Sequence, residues 1–61
     1  MKVSINAEEV NLADGLTVAA LLLDQKVKWA DMVAVELNGT ILDRATFATT
    51  VVQAGDKIEL V

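Results

Sequence analysis

The sequence predicts an α+β domain: a mixed sheet of four to five strands with one main helix packed on one face. Three observations predict it. Short runs of period-two alternation recur at both ends of the chain and in its middle. One run near residue 20 switches to helical spacing. Turn signals built on glycine separate the runs. At 61 residues the chain is a single domain, 1–61, and its core has to be small.

The elements follow in order. Lys2-Val3-Ser4-Ile5 alternates, with Val3 and Ile5 on one side and Lys2 and Ser4 on the other, and reads as a strand. Asn6-Ala7-Glu8-Glu9 is a short polar connection, and Val10-Asn11-Leu12 alternates again, so the first two strands form a hairpin. Ala13-Asp14-Gly15 breaks the pattern. From Val18 the apolar positions Val18, Leu21 and Leu22, widened by Ala19 and Leu23, take helical spacing, and the helix is expected over Val18 to Gln25. Thr17 suits the N-cap, because its hydroxyl can accept from a free N–H of the first turn. Lys26 and Lys28 bring positive charge to the negative end of the helix dipole.

After the connection Lys28-Trp29-Ala30-Asp31, residues Met32 to Leu37 form the strongest predicted strand, with Val33, Val35 and Leu37 on one face and Met32, Ala34 and Glu36 on the other. Asn38-Gly39 suits a tight reversal into Thr40-Ile41-Leu42. Asp43 is placed to cap a short helical turn through Phe47, and the β-branched Thr49-Thr50-Val51-Val52 favours extended chain. Gly55-Asp56 turns into the last strand, Lys57-Ile58-Glu59-Leu60-Val61. The single apolar helix stripe has to be buried against the sheet. With the first and last strands parallel neighbours, this order is the β-grasp, or ubiquitin-like, arrangement.

Composition argues against catalysis by side chains. The chain has no histidine and no cysteine, hence no imidazole base, thiolate or disulfide. Its nine carboxylates are scattered, and Glu8-Glu9 is the only adjacent pair. Ser4 is the sole serine, with no base to activate it. Gly15, Gly39 and Gly55 stand alone in turns and form no phosphate loop. No catalytic, cofactor-binding or metal-binding residue is expected, and the chain reads as a carrier or interaction module, not an enzyme.

The charge of −4, with five thinly spread basic residues, points away from nucleic acid and toward a basic partner surface. The uncharged stretch Gly15–Leu23 is far shorter than the roughly 20 residues of a membrane span. A soluble, cytoplasmic protein is expected. Only Trp29 and Phe47 are aromatic, and both are expected to fill the ends of an aliphatic core. High apolar content and an uncovered edge at the last strand are compatible with a monomer or with weak self-association.

The second half of the chain carries a resemblance. A strand (Val33–Leu37) is followed by Asn38-Gly39, an apolar pair (Ile41-Leu42), Arg44 with Phe47 three residues later, and then Gly55-Asp56-Lys57-Ile58-Glu59. The front half agrees, with Asp14-Gly15-Leu16-Thr17-Val18 opening a leucine-rich helix. Over essentially its whole length the chain resembles ThiS, the sulfur carrier family of thiamin thiazole biosynthesis. The resemblance implies a ThiF-type adenylating enzyme and a thiazole synthase as partners, with sulfur carried as a thiocarboxylate on a flexible C-terminal Gly-Gly. The sequence stops at Val61 without those glycines, so the expectation is an inactive truncated core. The resemblance also implies docking through the sheet face away from the helix, where Met32, Ala34, Glu36, Glu59 and Val61 are expected to bind the partner. The alternatives are a TGS-like regulatory domain, which shares the size and the Gly-Asp strand, a MoaD-like molybdopterin sulfur carrier, usually longer and with a different middle segment, and an engineered β-grasp without activity, which the high aliphatic content would fit.

Overall fold

The computed structural model describes all 61 residues and has the predicted element order. Strand β1 (Lys2–Ile5) turns into β2 (Glu8–Asn11), helix α1 (Val18–Asp24) crosses over, β3 (Val35–Leu37) turns into β4 (Thr40–Ile41), a 3-10 turn covers Arg44–Thr46, and β5 (Lys57–Leu60) closes the sheet. The strands lie in the order β2-β1-β5-β3-β4. β5 pairs in parallel with β1 and antiparallel with β3. The last strand is therefore the middle of the sheet, covered on both edges. The open edges belong to β2 and β4, which corrects the expected exposed edge at β5.

Alternation decides which side of the sheet is buried. Val3, Ile5, Val35 and Ile58 point to the helix side and are buried together with Val18, Leu21 and Leu22 of α1. Leu12, Phe47 and Val52 complete the core, which contains no polar side chain. Each such side chain taken out of water contributes about 1.5–3 kcal/mol. Trp29 departs from its expected place: it is exposed on the α1–β3 connection, while Phe47 alone fills the core.

The helix is fastened at both ends. Thr17 caps it, its Oγ1 accepting from the Ala20 N–H at 3.1 Å. The Val18 and Ala19 N–H groups donate to the carbonyls of Thr50 and Phe47. The free donors of the first turn are thus satisfied by the segment passing across them. At the far end Lys26 takes a left-handed φ of 54°, and the Lys26 and Val27 N–H groups donate back to the carbonyls of Leu23 and Leu22. This closing motif stops the helix at Asp24, with Gln25 as its cap.

Two strand starts differ from expectation. The first hairpin loop is only Asn6-Ala7, both left-handed with φ of 49° and 69°, so Glu8 and Glu9 belong to β2. Two consecutive left-handed residues match the twist of the flanking strands, which is why so short a loop suffices. The third strand begins at Val35, not Met32. The N–H groups of Met32 and Val33 both donate to the Trp29 carbonyl, which curls the chain before it extends.

Candidate functional site

The outer face of the sheet is assembled by register. Ser4 lies beside Lys57 across the parallel pair. Glu36 lies directly opposite Glu59 on β5 and opposite Ile41 on β4. Beyond the ends of β3 and β5, Ala34 and Val61 exchange two backbone hydrogen bonds, both 2.9 Å. The result is an apolar end formed by Ala34 and Val61, an acidic centre formed by Glu36 and Glu59, and Ile41 alongside. Val61 and Ile41 are 81% and 71% exposed, so these aliphatic groups are covered by nothing within the chain.

The electrostatics of the centre are uneven. Two carboxylates directly opposite each other repel. Lys57 Nζ lies 3.6 Å from a Glu59 carboxylate oxygen and offsets one of them. Glu36 takes part in none of the ion pairs, the other two being the N-terminal amine with Asp14 and Lys2 with Glu9. A surface with an unbalanced negative charge beside exposed aliphatics suits a partner that brings both a cation and an apolar contact.

Four of the five residues expected on this face meet there: Ala34, Glu36, Glu59 and Val61. Met32 does not. It is exposed, but the curl at Trp29 keeps it out of β3 and in the connection from α1. Ile41, which alternation within β3 and β5 does not reveal, also belongs to the face. A two-residue Asn38-Gly39 turn, with φ of 51° and 84°, fixes Leu37 opposite Thr40 and so Glu36 opposite Ile41. That register was available from the turn alone.

The motif residues carry structure around this face. Asn38 donates from Nδ2 to Asp56 Oδ1 at 3.0 Å and accepts at Oδ1 from the Lys57 N–H at 2.8 Å. The Asn-Gly and Gly-Asp signals are thus one joined corner. Arg44 donates to the Ala30 and Val33 carbonyls at 2.8 and 2.6 Å, with its guanidinium 5.1 Å from the centre of the Phe47 ring. It clamps the α1–β3 connection to the 3-10 turn. No group of three or more Asp or Glu residues is gathered to hold a metal ion. No helix is long and apolar enough to cross a membrane. What the face offers chemically is recognition: exposed aliphatics, fixed backbone and negative charge.

Comparisons with known proteins agree with this architecture. The ThiS family model matches residues 3–61. A crystal structure of a thiamine biosynthesis protein (ThiS) from Geobacter metallireducens superposes with a TM-score of 0.95 at 38% identity, covering 100% of this chain and 91% of that one. An NMR solution structure of a thiamine biosynthesis protein from the same organism gives 0.83 at 40% identity, covering 100% and 81%. A curated relative named thiazole synthase, from Paramagnetospirillum magneticum, is 43% identical over all 61 residues, and the chain spans 18% of that protein's length. With nearly every residue matched by the family model and the whole chain superposing closely on a solved relative, this chain belongs to the ThiS family.

Proposed function

We propose that this chain is the folded body of a sulfur carrier for thiamin thiazole formation, and that its outer sheet face is the docking surface. The observation that carries the carrier reading is the family match over residues 3–61, together with the close superposition on a ThiS protein. The work of such a carrier is recognition, and the chain's inventory fits it: no histidine, no cysteine, and a face of exposed aliphatics and carboxylates. The partners are a thiazole synthase and a ThiF-type adenylating enzyme. The first is supported by the relative of that name, in which a segment like this chain makes up 18% of a longer polypeptide.

Ala34, Glu36, Glu59 and Val61 are the contact residues on this reading, with Ile41 added by register. Met32 flanks them from the connection. Two measurements test the proposal. The intact mass of the protein isolated from its native source is expected to include a species with sulfur in place of one oxygen; a single oxygen-only mass under thiamin starvation refutes the carrier. Ala34→Arg puts a bulky cation on the apolar end of the face and is expected to weaken binding to thiazole synthase at least tenfold, about 1.4 kcal/mol. Unchanged affinity removes the face from consideration.

A further inference from the structure

Among the side-chain hydrogen bonds, one ties the beginning of the chain to its end. Asn6 Oδ1 accepts from the Leu60 N–H at 2.8 Å, across 54 residues. The parallel ladder between β1 and β5 explains why it is needed. That ladder runs from the Ser4 N–H to the Asp56 carbonyl and from the Asn6 N–H to the Ile58 carbonyl, both 2.9 Å. A regular parallel ladder would next carry the Leu60 N–H to the backbone carbonyl of Asn6. Asn6 has already turned left-handed into the hairpin, with φ of 49°, so its backbone leaves the ladder there. The side-chain oxygen takes the carbonyl's place and extends the ladder by one rung.

On its other edge the same end of β5 is held by Ala34, through the two 2.9 Å bonds with Val61. Leu60 and Val61 are therefore gripped from both sides by groups outside the paired strands. We propose that Asn6 is a positioning residue for docking: its hold on Leu60 fixes Val61 against Ala34, so that the apolar end of the outer face is preformed. This rests on the docking role proposed above. Asparagine meets two demands at once, tolerance of a left-handed φ and an acceptor on a short side chain. Glycine meets only the first. Aspartate meets both.

That difference supplies the test. In the unaltered protein the Leu60 amide is expected to exchange slowly with solvent. In Asn6→Gly the hairpin is retained and Leu60 exchange rises about tenfold, the effect of losing one hydrogen bond to this amide. Backbone order at Val61 falls, and affinity for thiazole synthase, measured where the variant is fully folded, drops severalfold. Asn6→Asp restores slow exchange and affinity together. A purely structural role moves the urea midpoint and leaves affinity where it was. An unprotected Leu60 amide in the unaltered protein overturns the proposal, whether or not Asn6→Gly folds. Fast Leu60 exchange in Asn6→Gly with unaltered affinity overturns it as well. Failure of the docking role is distinguishable: Ala34→Arg then binds normally, while Leu60 protection still reports on the Asn6 tie.

Discussion

Ala7 takes a left-handed φ of 69° with a Cβ present and no side-chain acceptor to ease it. A left-handed residue other than glycine costs about 1–2 kcal/mol, and only asparagine and aspartate are routinely eased there by local hydrogen bonds. Ala7→Gly removes the clash at a site exposed to solvent and is expected to raise unfolding stability by about 1 kcal/mol, read from the urea midpoint at constant slope. The gain is less than the full strain because glycine also adds freedom to the unfolded chain. The neighbouring Asn6 and the corresponding Asn38 are left-handed too, yet both use their side chains on β5 backbone. Hairpin geometry and the anchoring of the central strand thus fall on the same two asparagines.

Among the elements, the α1–β3 connection owes its path to Arg44. A charged donor that bonds two carbonyls at 2.8 and 2.6 Å is not replaced by another long side chain. Arg44→Met keeps packing over Phe47 but strips both bonds. It is expected to cost about 1–3 kcal/mol in stability and to quench differently at Trp29, whose exposed indole reports on this connection. The elements were legible in the sequence wherever period and turn chemistry agreed. Thr17 capped the helix as expected, Asp43 opened the 3-10 turn with its Oδ1 accepting from the Ala45 N–H, and Val3, Ile5, Val35 and Ile58 faced the helix. Legibility failed where a hydrogen bond, local or long-range, overrode the alternating pattern. Met32-Val33-Ala34 alternates like a strand, but two bonds to the Trp29 carbonyl curl it. The Asn6 tie spans 54 residues, so no local spacing announces it. The outer face was legible as a set of residues on alternate positions, but Ile41 needed the hairpin register and Met32 needed the curl.

At the scale of the whole molecule, ten buried side chains in 61 residues make a core with little redundancy, and all of it depends on one strand. β5 is the shared neighbour of the β1–β2 and β3–β4 hairpins, and Ile58 sits among the most buried residues. The two hairpins have no pairing with each other except through it. Chain order gives this a temporal consequence. During synthesis the central strand emerges after every other element of the domain, so both hairpins and the helix leave the ribosome with no sheet to join. The contacts that close the fold, such as Ser4 with Lys57, join opposite ends of the chain, and such distant pairings are slow to form. A nascent chain that has emerged only as far as Ala54 is expected to remain open to protease along the emerged length, and one that has exposed Val61 is expected to become resistant in a single step. A chain built this way completes its outer face only when the strand that bears Glu59 and Val61 has been made, so an unfinished copy presents no such face.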